Sequence, residues 1–334
     1  MCDFQKLINE VYKEVKGNNK GKKAHYIPEL AKANEKKFGI SICDVNGKMY
    51  HVGDYKYKVA IESISKLFTL AAAVKKHGTK KVFNKIGMEG SSLPFNSLIA
   101  AKLTPDHTIN PFVNQGAIST TSLLFNKNEK SNKRVKKELI DNMSDFASTN
   151  LSLGKNIFES ESETNNINMS LAYLLYNNNR LYAPVKETVD AYTYQCSVKV
   201  TSDDLARMAS VFANKGVNPV SNERLLTKKQ TIYILNNVLP EGLYEYSDSW
   251  ISKTDGGAYA KSGVGGGLLI VIPGVCGIGI VSPRLDENGN SVKGIDAGER
   301  ISKKISGNPF NTSKCIHNKT CKNKKKNNKT RKNK

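Results

Sequence analysis

Apolar positions recur along the chain at two periods. Phe4, Leu7, Ile8, Val11 and Val15 follow helical spacing and predict a first helix. Phe38 to Val52 reads as two short strands around Asn46-Gly47, a hairpin turn signal. Helical spacing returns from Ser63 to Lys76, with Ile64, Leu67, Phe68, Ala71 and Val74 as its stripe. From about 78 to 245 the pattern is mostly helical, broken by polar loops. One of these, Asn126 to Lys137, is charged and is expected to be an exposed loop. Asp203 to Asn214 predicts a helix that ends at Gly216. Strand patterns then reappear at Tyr259–Ser262, Leu268–Ile272 and Ile278–Ser282, with Gly and Pro between them, before an amphipathic segment from Ala297 to Ile305.

Strands at both ends and helices between them predict an α+β fold. The simplest arrangement pairs the two ends into one antiparallel sheet flanked by terminal helices, with a mostly helical lobe beside it and a ligand cleft between. The boundaries expected are one domain over 1–312, with a sheet lobe from about 1–62 and 250–312 and a helical lobe of about 63–249. Residues 313–334 form a basic tail, expected to be disordered.

Charge changes this picture little. The formal net charge is +21, but the tail contributes ten basic residues and no acid, which leaves +11 spread over residues 1–312. Contact with nucleic acid or an anionic surface is therefore expected only through the tail. A hydrophobic content of 39% excludes a wholly disordered chain. No apolar run is long enough for a membrane span. The first residues lack the apolar stretch of a signal peptide, and six scattered cysteines do not make a disulfide scaffold, so a cytoplasmic location is expected. Cys315, His317 and Cys321 are too few and too poorly spaced for a zinc site, and no metal is expected.

The candidate chemistry begins at Ser63-Ile64-Ser65-Lys66. On a helix start, residues three apart are neighbours, so Lys66 can reach the Ser63 hydroxyl. A serine needs a base to become a nucleophile, and a lysine serves when burial or cationic neighbours lower its proton affinity. Alone the motif is permissive; Ser152-Leu153-Gly154-Lys155 matches it too, without an apolar helix behind it. The second element is Lys261-Ser262-Gly263 on a strand that runs into Val264-Gly265-Gly266-Gly267. S-x-x-K followed by a K-[ST]-G strand is the pattern of serine β-lactamases and penicillin-binding proteins. Tyr176-Asn177-Asn178 fits the looser Tyr-x-Asn element of that pattern but reads as a polar loop.

Longer blocks narrow the resemblance. Tyr26-Ile27-Pro28-Glu29-Leu30-Ala31-Lys32, the Ser63–Lys66 block after Gly53-Asp54, Asn110-Pro111-Phe112-Val113-Asn114-Gln115-Gly116-Ala117-Ile118 and Ala260-Lys261-Ser262-Gly263-Val264 stand in chain order. Phe95-Asn96-Ser97, Gln195-Cys196-Ser197 and Asp286-Glu287-Asn288-Gly289-Asn290 add to them. Over roughly residues 20–305 the chain resembles the serine-dependent glutaminases, which share the β-lactamase/transpeptidase-like fold. The resemblance implies hydrolysis of L-glutamine to L-glutamate and ammonia without a cofactor, in a homodimer or homotetramer. It implies Ser63 as nucleophile and Lys66 as its base. Tyr26 and Tyr192 would stand beside the serine, either of them able to relay a proton. Asn114, Glu161, Asn168 and Tyr192 would hold the substrate's amino and carboxylate groups, and Tyr244 would close the site. The backbone N–H groups of Ser63 and Val264 would form the oxyanion hole.

Several features depart from the family pattern: Asn166-Ile167 replaces the usual Asp-Arg before Asn168, the segment after Tyr244 is slightly longer than usual, and two further departures lie beside the candidate chemistry. Glu62 precedes the serine where Gln is usual, and an ionised carboxyl there would favour protonated Lys66 and weaken it as a base. Gln115 stands where Ala is usual and adds bulk after Asn114. Beside the active glutaminase there are thus two rival readings. One is a catalytically weakened relative that works as a binding or interaction protein. The other is a penicillin-binding or β-lactam-hydrolysing protein.

Overall fold

The computed structural model describes residues 3–25, 27–91 and 93–305. Tyr26, the basic tail and its Cys315, His317 and Cys321 lie outside the described residues. Among the described residues eight strands form: β1 (Gly39–Asp44), β2 (Met49–Gly53), β3 (Val59–Ala60), β4 (Ser152–Leu153), β5 (Val198–Val200), β6 (Tyr259–Gly263), β7 (Gly267–Ile272) and β8 (Cys276–Val281). Five of them make an antiparallel sheet in the order β2-β1-β8-β7-β6. The two ends of the chain therefore share one sheet through the β1–β8 pairing, as the strand patterns predict. A small second sheet has the order β3-β5-β4.

β7 shows why its sequence lacks a polar face. Leu268, Ile270 and Ile272 pack among the terminal helices Phe4–Val15 and Val292–Ile305. Leu269 and Val271 pack on the opposite side against the central helices. A strand covered on both faces reads as a continuous apolar run. The helix Ser202–Ala213 supplies much of that second cover. It starts in a capping box, in which Thr201 Oγ1 accepts from the Asp204 N–H and the Asp204 carboxylate accepts from the Thr201 N–H. Gly279 on β8 lets this helix come close: a Cβ there would lie 2.1 Å from Ser202 O.

Three local expectations need correction. The segment 126–137 is not all loop, because the helix Lys133–Ala147 begins inside it. Val135, Leu139, Met143 and Phe146 form its buried stripe, while its first-turn lysines and arginine only resemble a loop. Tyr176 and Asn177 end the helix Asn166–Asn177 rather than lying in a loop, and Tyr176 is exposed. The last helix also starts earlier than its stripe suggests, at Val292. No described helix is long and apolar enough to cross a membrane.

Candidate active site

Ser63 sits on a single 3-10 turn, Glu62–Ile64, that runs straight into the helix Ser65–His77. This helix is not amphipathic as its stripe implied. Ser65 through Val74 are buried on every side, since the helix runs through the middle of the molecule. Glu62 has φ +51°, a left-handed conformation that costs a non-glycine residue roughly 1–2 kcal/mol. The end of β6 presses on this turn: a Cβ on Gly263 would lie 2.5 Å from Ile61 O. The K-S-G strand and the S-x-x-K turn are thus in contact, with Val264 immediately beyond.

Lys66 points its Nζ at two oxygens, donating to Phe112 O at 2.8 Å and to Asn114 Oδ1 at 2.7 Å. The loop that presents these acceptors is built by Asn110. Its Oδ1 accepts from the N–H groups of Phe112 and Val113, and its Nδ2 donates to Glu89 O and to the Glu241 carboxylate. Asn114 then opens the helix Asn114–Ser122. Its Nδ2 donates to Asn168 Oδ1 at 3.0 Å, and the Tyr192 hydroxyl donates to its Oδ1 at 3.2 Å. One asparagine therefore joins the lysine, a second asparagine and a tyrosine from three other helices.

Electrostatics follow from depth. Lys66 is 1% exposed, and burial lowers its pKa to about 8 against the opposing pull of Glu241, Glu62 and Glu161. Lys261 is wholly buried; burial and the nearby Lys66 hold it well below the usual lysine range, and its Nζ donates to Gly242 O and Ser262 O. Its amine lies 4.4 Å from the centre of the Tyr244 ring. The Tyr244 hydroxyl is buried and faces the Ser63 and Ser262 hydroxyls without a well-aligned hydrogen bond to either; burial raises its pKa. Tyr244 also has φ +56°, the second left-handed residue of the site. A Cβ on Gly289 would touch both Val264 and Tyr244, so the 286–290 turn packs behind them.

Glu161 lies in an acid-rich segment that reads as a solvated loop. Instead it ends up buried on the helix Lys155–Glu163. Ser197 Oγ donates to it at 3.4 Å. One atom each of Glu62, Glu161 and Cys196 lie within 4.8 Å of one another, close enough to surround a cation. Burial raises both carboxyl pKa values and that of the Cys196 thiol. The departure at Gln115 is fully buried, and its amide has no hydrogen-bond partner among the described residues.

Of the expected site residues, Ser63, Lys66, Asn114, Glu161, Asn168, Tyr192, Tyr244 and Val264 are thus linked by contacts around one region, and Tyr26 lies outside the described residues. Sequence reasoning quoted Lys261 and Phe95 within motifs but gave them no role in the site, and it did not single out Glu241. Lys261 had a signal as the first residue of K-S-G. Phe95 packs against Tyr244 with ring centres 4.6 Å apart and the planes tilted by 34°, and its carbonyl accepts from Asn114 N–H. Glu241 follows a proline in what reads as a polar turn, and only its tertiary contacts mark it.

Known proteins give a consistent comparison. The glutaminase family model matches residues 21–310. A glutaminase of Colwellia psychrerythraea is 41% identical over 307 residues, covering 92% of this chain and 97% of the relative. The solved structure of a probable glutaminase superposes with a TM-score of 0.86 at 38% identity, covering 90% of this chain and 95% of that one. The structure of the protein called Mglu in its glutamate form gives a TM-score of 0.85 at 32% identity, covering 91% and 69%.

Proposed function

The chain belongs to the glutaminase family, and on that premise we propose that it hydrolyses the side-chain amide of L-glutamine through a γ-glutamyl ester on Ser63. The observation that carries this reading is the state of Lys66. It is a buried amine one helical turn from the serine, with proton affinity low enough to act as a base near neutral pH. Neutral Lys66 takes the Ser63 proton as the hydroxyl oxygen attacks the amide carbon. The oxyanion is received by the N–H groups of Ser63 and Val264, at the start of a helix where positive potential is available. The C–N bond breaks as the leaving nitrogen takes the proton, directly from Lys66 or relayed by Tyr26 or Tyr192. Water then attacks the ester with Lys66 again as base, releasing glutamate.

The far end of the substrate is a zwitterion, so it needs one negative group and several donors. Glu161 meets the ammonium; Asn114, Asn168 and Tyr192 meet the carboxylate; Tyr244 covers the reacting end. Exposed Ile99, Leu103, Ile167 and Tyr176, on two helices that touch each other, support the expected homodimer or homotetramer. Buried free thiols at Cys43 and Cys196 suit the expected cytoplasmic location. The weakened-relative reading rested on an ionised Glu62, and burial beside Glu161 counts against that charge. The test is ammonia and glutamate release from L-glutamine by the parent, Ser63→Ala and Lys66→Ala. Turnover lost in both variants supports the proposal, and an inactive parent across a range of protein concentrations overturns it.

A further inference from the structure

Glu62 is 3% exposed and Glu161 is 7% exposed, and they approach each other from different elements. Glu62 comes from the turn that carries Ser63, and Glu161 from the helix Lys155–Glu163. Glu62 Oε1 is buried without a hydrogen-bond partner among the described residues, while Glu161 has one long hydrogen bond, from Ser197. Two ionised carboxylates this close and this dry repel each other, and one proton between them removes the repulsion while giving the orphaned oxygen a partner. The other titratable groups around Glu62 do not remove the need for that proton. Lys66, on the following helix, is attractive, but its two hydrogen bonds go to Phe112 O and Asn114 Oδ1 and neither goes to Glu62. Cys196 and Tyr192, from the helix Val185–Cys196, and Tyr244 are neutral neighbours. Lys261 on β6 donates to Gly242 and Ser262. β7 brings no titratable side chain to the turn.

We propose that Glu62 is a positioning residue for the substrate-ammonium acceptor: its carboxyl carries the proton shared with Glu161 and donates it there, so the pocket meets the substrate with one negative charge. This rests on the role given to Glu161 above. A protonated glutamate has nearly the shape of glutamine, the residue the family resemblance places here, and like it can donate a hydrogen bond, with one donor in place of two. The departure thus keeps the function of an amide donor while adding a proton that can be lost at alkaline pH. Once lost, the pair would bear two charges and favour protonated Lys66, so less of the lysine would be free to act as a base.

The experiment compares the parent with Glu62→Gln and Glu62→Ala by steady-state kinetics near neutral pH, and reads the infrared carbonyl stretch of protonated carboxyl groups. Glu62→Ala is expected to raise KM for L-glutamine about tenfold or more with a smaller change in kcat, and Glu62→Gln to restore most of it. The parent is expected to show a protonated-carboxyl band at neutral pH that Glu62→Gln lacks. A kcat/KM for Glu62→Gln about tenfold above the parent would mean that Glu62 is ionised, and overturns the proposal. So does a parent without the band, or a band that survives in Glu62→Gln. The infrared result needs no catalysis and no folded alanine variant, so an inactive parent would sink the glutaminase reading while this one was still decided.

Discussion

Replacing Asn114 by leucine should make Lys66 a stronger acid. In the parent the Lys66 ammonium is held by Asn114 Oδ1 at 2.7 Å and Phe112 O at 2.8 Å. Both bonds favour the charged form, while burial favours the neutral one and leaves the pKa at about 8. With that value, roughly one molecule in ten holds the free base at pH 7 and roughly nine in ten at pH 9, so kcat should climb about tenfold between them. Leucine keeps the branched four-atom skeleton of asparagine, with somewhat more bulk, but removes the acceptor. A hydrogen bond to a charged group contributes about 1.5–3 kcal/mol, and one pKa unit corresponds to about 1.4 kcal/mol. The ascending limb of the kcat profile should therefore move down by roughly one to two units, while KM rises because the substrate carboxylate loses a donor. Ammonia release at saturating L-glutamine across the pH range reads both effects. A limb that stays near 8 or moves to higher pH would refute Lys66 as the base held by Asn114.

Burial of Lys66 should also be visible in stability. Its folded-state pKa lies below the unfolded value of about 10.4, so the unfolded chain binds more protons between about pH 8 and 10.4, and stability contributed by this group rises with pH across that window by up to about 3 kcal/mol. Urea unfolding of Lys66→Met at both ends of the window should lack that rise; equal slopes in parent and variant would contradict it. At Gly279 an alanine methyl meets Ser202 O at 2.1 Å, so Gly279→Ala should cost about 3 kcal/mol or more as the helix Ser202–Ala213 is pushed off the sheet. An unchanged melting temperature would show that this close approach is absent.

The sheet was legible because its strands are short, apolar and bounded by turn residues, and because Asn46-Gly47 fixes the β1–β2 register. β7 could be read as a strand but not as one buried on both faces by helices from opposite ends of the fold. The helix Ser65–His77 carries Ala71, Ala72 and Ala73 in its sequence, and only its central place explains why polar Ser65, Lys66 and Thr69 are buried as well. The Ser63–Lys66 and Lys261–Gly263 motifs identify themselves by order and spacing. Glu161 does not: its neighbours Glu159 and Glu163 look solvated, and the burial that distinguishes it comes from tertiary packing. Glu62 was legible as a departure with an expected harmful charge. Its consequence depends on a partner 99 residues away in sequence, and no local pattern carries that.

The central claim is that Ser63 bears the acyl group. It is tested most directly by mixing the protein with L-glutamine, quenching in acid within the first turnovers, and mapping the peptides by mass. The account predicts a γ-glutamyl ester on the peptide that holds Ser63, absent from Ser63→Ala. Glutamate formation by the parent with no adduct at Ser63, together with full turnover by Ser63→Ala, would contradict it.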